Sequence, residues 1–200
     1  ARALGALSRV LRWQDLVFAR QLLWAGATVE GMSMRDRVTP VVEAALELAP
    51  AYVDFLIETP DSDKVKSLSG LSRKLEAHLG QALEDAGAFT DDRTAPRLHV
   101  FFTAADRAIV ALSWPGRRCE WAGGIPRLRM PREAPSRSTL KLAESFHSLL
   151  TEDEQERLLK PGMTAVDLGA APGGWTWHLV SRHFDVTAVD NGPMKPELLE

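Results

Sequence analysis

An α/β fold with a nucleotide-type loop is predicted for the C-terminal part of this chain, preceded by an α+β module and joined to it by an arginine- and proline-rich connection. Three observations carry the reading. Val166-Asp167-Leu168 closes an apolar run and enters the small-residue turn Gly169-Ala170-Ala171-Pro172-Gly173-Gly174, a helix starts near Trp175, and Val186-Thr187-Ala188-Val189-Asp190 is a second strand-like run ending in a carboxylate. That order is β-loop-α-β, the unit of a parallel sheet. Leu68, Leu71, Leu75, Leu79 and Leu83 recur every three or four residues between strand-like runs, as an amphipathic helix packed on a sheet requires. Pro115, Pro126, Pro131 and Pro135, with Gly116, Gly123 and Gly124, then interrupt every period up to Arg137.

The bulk numbers bound the classes. Two hundred residues, 45% apolar and 26% charged, suit one or two domains with a sizeable core. A formal net charge of −3 excludes a globally basic nucleic-acid coat, so any polyanion site is a local patch. Cys119 is the only cysteine, which excludes an intrachain disulfide and a cysteine zinc cluster and points to the reducing cytoplasm. No apolar run approaches the ~20 residues that span a bilayer, so no membrane association is expected. Both ends are expected to be cut: Ala1 lies within an amphipathic stretch, and Glu200 follows closely on the second strand of a fold that needs further βα units.

In chain order, residues 1 to 36 mix helical and strand periods around Leu4, Leu7, Val10, Leu11, Leu16, Val17, Phe18, Leu22 and Leu23, and receive no element. Thr39-Pro40 supplies a cap and first-turn proline for a short helix that Pro50 ends. Tyr52 to Thr59 alternates as a strand. Asp61 to Asp63 are expected to cap the leucine-striped helix, with Gly87 at its C′ position. Leu98 to Thr103 and Ala108 to Trp114 read as strands joined by Ala104-Ala105-Asp106-Arg107, so residues 37 to 114 form one α+β module. His99 is read there as structural, with no serine or cysteine nucleophile beside a base.

Residues 115 to 136 read as a linker. Across it and into the next segment run Arg117, Arg118, Arg127, Arg129, Arg132 and Arg137, against only Glu120 and Glu133. Arginines interleaved with Trp121 suit phosphates and an unpaired base, and RNA contact is favoured over a plain solvated linker. Residues 137 to 200 begin the α/β domain. Ser138 is expected to N-cap a helix with Leu142, Phe146, Leu149 and Leu150 on its apolar face. Lys141 then falls in the first turn, where the positive end of the macrodipole disfavours a protonated amine. Alone it reads as a surface lysine; shortly before a nucleotide loop it becomes a candidate catalytic group. Thr151 to Lys160 is a polar surface helix, and His178 and His183 read as surface or boundary residues.

The loop itself separates two ligand classes. A dinucleotide loop of G-x-G-x-x-G type faces a pyrophosphate with its second glycine, and here Ala171 follows Gly169 and a proline stiffens the turn. A nucleoside without a pyrophosphate fits better, which favours S-adenosylmethionine over NAD. Candidate cofactor residues are Gly169, Ala171, Pro172, Gly173, Gly174, Trp175 and Asp190, the last as a grip on a ribose hydroxyl pair. No cluster is present to hold a metal.

Ala134-Pro135-Ser136-Arg137-Ser138-Thr139-Leu140-Lys141-Leu142, the segment Asp167 to Trp175, and Val189-Asp190-Asn191-Gly192-Pro193-Met194 closely resemble the Rossmann-fold 2′-O-methyltransferases related to the heat-shock methyltransferase of the bacterial large ribosomal subunit. Gly124 to Arg129 and Leu16 to Gln21 extend the resemblance over nearly the whole chain. It implies a Rossmann-like, S-adenosylmethionine-dependent methyltransferase domain, incomplete here, behind a THUMP-type RNA-binding domain and a remnant of a ferredoxin-like region. It implies a substrate, the 2′-hydroxyl of a cytidine in the peptidyl-transferase region of 23S rRNA, taken naked or in an early 50S precursor by a monomeric enzyme. It adds Ser138 to the cofactor set and matches Lys141 to the first member of a Lys-Asp-Lys-Glu catalytic set, whose other members would lie beyond Glu200. The base in relatives is the later lysine, so Lys141 takes a supporting role. One departure is Ala170-Ala171, where relatives have a cysteine before the proline. The competing readings are a non-catalytic RNA-binding protein with a vestigial nucleotide fold and an NAD(P)-dependent oxidoreductase.

Overall fold

The computed structural model describes residues 16, 18–60, 62 and 66–198. Their contacts fall into two units, residues 1–125 and 126–200. The first unit contains β1 (Trp24–Val29), α1 (Val38–Leu48), β2 (Phe55–Glu58), α2 (Lys66–Asp85), β3 (Arg97–Ala104) and β4 (Arg107–Ser113). Its sheet runs β1-β4-β3-β2, with β2 parallel to β3 and the other pairs antiparallel. The expected turn between β3 and β4 forms, Ala104 pairing with Arg107. Alternation sorts β3: Leu98, Val100 and Phe102 join Val41, Ala45, Leu79, Leu83, Val110 and Leu112 in one core. Tyr52 is fully buried there, its hydroxyl donating to the Ala45 carbonyl, and burial pushes the phenol up to about 12.

Three expectations change. Within the stretch expected to stand apart as residues 1 to 36, Trp24–Val29 belongs to the module, because β1 pairs with β4 from Trp24↔Leu112 to Val29↔Ala108 and completes the sheet. A bulge between Ala25 and Ala27 breaks its alternation, which hid the strand from pattern reading. Gly26 lies at that bulge, where a Cβ would stand 2.0 Å from Leu48 Cδ2, so helix α1 needs a glycine there. Second, the cap of α1 comes from Asp36 rather than Thr39: its Oδ1 accepts from the Val38 and Thr39 amides at 3.1 and 3.0 Å, leaving Thr39 inside the helix. Third, 115–136 is not one free linker. Residues up to 125 belong to the first unit, Cys119 is buried, and the Gly123 amide donates to Glu58 Oε1 at 2.5 Å. Of the expected cap of α2, Asp61 and Asp63 lie outside the described residues. Gly87 does follow the helix with φ +66°.

The second unit contains α3 (Ser138–Leu149), α4 (Glu152–Leu158), β5 (Thr164–Leu168), α5 (Gly174–Val180) and β6 (Asp185–Val189). β5 and β6 are parallel, in register from Thr164↔Asp185 to Leu168↔Val189, as the β-loop-α-β reading requires. Val166, Leu168 and Val189 remain 64%, 77% and 51% exposed on this two-stranded sheet. α4 starts with a capping box in which Thr151 and Glu154 satisfy each other's amides. Among the described residues no helix is long and apolar enough to cross a membrane.

Candidate functional site

The loop between β5 and α5 is built on backbone hydrogen bonds. Gly169, at φ +82°, donates to the Val189 carbonyl at 2.9 Å, which ties the end of one strand to the end of the other. Gly173, at φ 107°, donates to Ala170 O at 2.6 Å and its own carbonyl accepts from Trp177, starting α5. Its left-handed conformation demands glycine, and a Cβ there would also push aside the end of the Leu198 side chain.

Asp190 leaves β6 at the same end. Its Oδ2 accepts from the Ala171 amide at 2.8 Å and its Oδ1 from the Gly192 amide at 2.7 Å. These bonds, that of Gly192 first, hold its carboxyl below the usual carboxylate range. Each oxygen keeps lone-pair capacity, and the residue is exposed, so the carboxylate shapes the loop and still offers acceptors outward. Asp167 is different: it is buried, and its Oδ2 accepts from Thr176 Oγ1 at 2.7 Å, bracing β5 against α5.

Helix α3 meets the loop with its N-terminal end. Ser138 is not the N-cap: Arg137 is, without a side-chain cap, because the chain enters the helix through a turn in which the Thr139 amide donates to Ser136 O. Ser138 Oγ instead shares a hydrogen bond with Ser136 Oγ at 2.6 Å. Lys141 lies in the first turn as expected and is exposed. Trp175, 44% exposed, donates its Nε1 to Ser138 O at 3.1 Å.

The six arginines do not share one environment. Arg127, Arg129, Arg132 and Arg137 are exposed in the second unit, whereas Arg117 and Arg118 belong to the first. The Arg118 side chain is only 13% exposed and its Nε donates to Glu120 Oε1 at 3.0 Å, which ties it to its own neighbourhood.

One histidine expectation fails, and His99, structural as expected, nonetheless stands beside a serine. His178 is buried, not a boundary residue: its ring stands 5.6 Å from Phe146, Arg182 lies over that same phenyl ring, and Nε2 has no partner among the described residues. Burial first, then the charges of Arg182 and His147, pushes its imidazole down to about 4. And the α+β module does hold a serine beside a base. His99 Nδ1 faces Glu58 Oε2 at 2.6 Å and Nε2 faces Ser113 Oγ at 2.7 Å, all three residues buried. With Glu58 as acceptor, Nδ1 is assigned the proton. Burial would raise the Glu58 carboxyl, but the hydrogen bonds from His99 and the Gly123 amide hold it below the usual range. The three residues stand on β2, β3 and β4 and meet only because those strands are neighbours. No spacing rule would have found them.

A cleft of about 320 Å³ lies over Thr164–Val166 and Asp185–Thr187, at the opposite end of β5 and β6 from the loop. Ligands of open α/β sheets bind at the carboxyl ends of the strands, so the loop end carrying Asp190 remains the candidate site.

Residues 36–114 match the family model described as ribosomal RNA large subunit methyltransferase M, N-terminal, and residues 134–199 match the FtsJ-like methyltransferase model. Among curated proteins, ribosomal RNA large subunit methyltransferase M of Thauera aminoaromatica is 47% identical over 98% of this chain and 54% of its own length. Proteins of the same description from Xanthomonas campestris pv. campestris and Stenotrophomonas maltophilia are each 48% identical, over 96% and 98% of this chain and 56% of their own lengths. The chain thus spans about half the length of the curated relatives it matches. Among solved structures, the crystal structure of TrmN from Thermus thermophilus aligns with 93% of this chain and 52% of that one at 21% identity and a TM-score of 0.33, too little agreement to bear on the fold. Two family models thus match in succession, and similarity to proteins described as ribosomal RNA large subunit methyltransferase M runs along nearly the whole of this chain and about half of theirs.

Proposed function

We propose that the protein methylates the 2′-hydroxyl of a cytidine in 23S rRNA, using S-adenosylmethionine. The observation that carries this reading is the loop end of β5 and β6: an exposed Asp190 carboxylate with unused lone pairs beside a glycine loop of fixed backbone. Those residues fit a nucleoside. When bound, the cofactor supplies an electrophilic methyl group on a sulfonium. Asp190 would accept hydrogen bonds from ribose hydroxyls, while Gly169, Ala171, Pro172, Gly173 and Gly174 line the approach of the nucleoside, Trp175 flanks them and Ser138 stands at the rim. Methyl transfer to an oxygen is governed by the alignment of the two reactants, so the protein's main task is positioning. Lys141 would orient the attacking hydroxyl and stabilise charge developing on it.

In the same proposal the exposed Arg127, Arg129, Arg132 and Arg137 bind RNA phosphates, with the α+β unit acting as a THUMP-like RNA-binding module of a monomeric enzyme on naked rRNA or an early 50S precursor. The test is methyl transfer from labelled S-adenosylmethionine by the full-length protein to 23S rRNA lacking the modification, beside Lys141→Ala and Asp190→Ala. Label on a ribose 2′-oxygen, strongly reduced in both variants, is expected. Tight RNA binding with no methyl transferred by any form would overturn the proposal.

A further inference from the structure

Two hydrogen bonds of opposite direction cross between α3 and the first residues of α5, where the loop ends. Thr139, fully buried, donates Oγ1 to the Gly174 carbonyl at 2.9 Å, and Trp175 returns its indole Nε1 to the Ser138 carbonyl at 3.1 Å. Between them there is no room: a Cβ on Gly174 would stand 2.1 Å from Ser138 Oγ and 2.4 Å from Ser136 Oγ. The helix end is therefore seated directly on the loop backbone and tied to it from both sides. Lys141 follows Thr139 by two residues in the same turn, and its own side chain is exposed. Nothing about Lys141 itself thus fixes where its amine starts from; the seat of that turn does.

We infer that Thr139 and Trp175 are positioning residues that hold the Lys141 turn of α3 at a set distance from the Gly169–Gly174 loop, so that the lysine and the cofactor loop move as one body. The inference rests on the proposed methyltransferase reading. Gly174 keeps the contact close, because a Cβ there would displace the Ser138 and Ser136 hydroxyls and press on the Thr139 amide. The Thr139 hydroxyl matters as a donor, and a serine can replace it; phenylalanine at 175 keeps an aromatic ring, smaller than indole, and loses the N–H.

The test uses the full-length protein and the variants Thr139→Val, Trp175→Phe and Thr139→Ser. With saturating unmodified 23S rRNA, kcat is expected to fall roughly tenfold to a hundredfold in the first two, the range that small misplacements of reacting groups produce. The KM for S-adenosylmethionine should stay within about twofold of the unmodified protein in Thr139→Val, Trp175→Phe being read by kcat and exchange because Trp175 also flanks the cofactor loop, and Thr139→Ser should retain activity. In a Lys141→Ala background neither Thr139→Val nor Trp175→Phe should cost anything further, because both act through the lysine. Hydrogen exchange of the amides from Leu140 to Leu142 should quicken in Thr139→Val and Trp175→Phe alone. Unchanged exchange, or equal losses with and without Lys141, would overturn the inference. Unmodified protein that transfers no methyl would sink the methyltransferase reading instead, and the exchange data would then decide by themselves whether helix and loop are tied.

Discussion

In the first unit the apolar side of α1 and α2 covers Leu98, Val100 and Phe102 on one face of the sheet, and on the other face residues 115–125 bond to Arg97 and Glu58, with Arg97, Glu58 and His99 all buried. In the second unit β5 and β6 leave Val166, Leu168 and Val189 largely exposed, and its chemical groups, Asp190 and Lys141, are exposed as well. The difference separates two kinds of polar cluster. Glu58, His99 and Ser113 have the spacing of a catalytic relay, yet each is buried and satisfied, so the trio works as a clamp that fastens the 115–125 segment through Gly123. Asp190 accepts two hydrogen bonds, but from the surface, where its remaining acceptors face outward. Access, more than geometry, tells the structural cluster from the candidate site.

The sharpest test of that contrast is removal of the clamp. Glu58→Ala leaves His99 and the Gly123 amide buried without their acceptor, and should destabilise the first unit by about 3–5 kcal/mol. Chemical unfolding of the full protein, with exchange at residues 115–125 read in parallel, checks this; a change below about 1 kcal/mol would mean the trio holds nothing. Leucine truncation compares the units directly. Leu98→Ala, fully buried, should cost about 2–5 kcal/mol, and Leu168→Ala, on the exposed strand face, within about 0.5 kcal/mol. Equal costs would show that the β5–β6 face is buried in solution.

The two units should also answer acid differently. His178 is depressed from 6.5 to about 4 in the fold, so its contribution is complete above pH 6.5 and is lost as pH falls towards 4. That loss is worth up to about 3 kcal/mol, and His178→Leu should remove it from the pH profile of unfolding. Glu58, also depressed, contributes above the ordinary carboxylate range and loses its contribution only as pH falls through its lower folded value, so the first unit should weaken at more acid pH than the second. The smallest effect is expected at the arginines. Arg127→Ala and Arg129→Ala should each weaken RNA binding and lower the salt slope by about 1, leaving S-adenosylmethionine affinity unchanged, while Arg118→Ala, tied to Glu120, should leave that slope alone. Equal losses of RNA and cofactor affinity would sink the phosphate-contact proposal.

Much of the architecture was legible because it is local. The leucine stripe of α2, the turn at Ala105-Asp106, the glycine loop and the carboxylate at the end of β6 are each written within a dozen or so residues, at the periods that helices and strands impose. The errors lie where a neighbour distant in sequence overrides the local signal. Trp24–Val29 shows no clean period of its own and becomes a strand by pairing with β4; His178 reads as a surface residue until Phe146 packs against its ring.

From residue order alone came the β-loop-α-β unit, the identity of its loop and acid, and the likeness to a methyltransferase family. Only the tertiary structure decided that Trp24–Val29 completes the first sheet, that Glu58, His99 and Ser113 meet, and that Thr139 and Trp175 tie α3 to the loop. Helical and strand periods report which face of an element is apolar. Which elements lie side by side, and which of their polar groups then find each other, depends on strand order and packing, and no spacing along the chain encodes that.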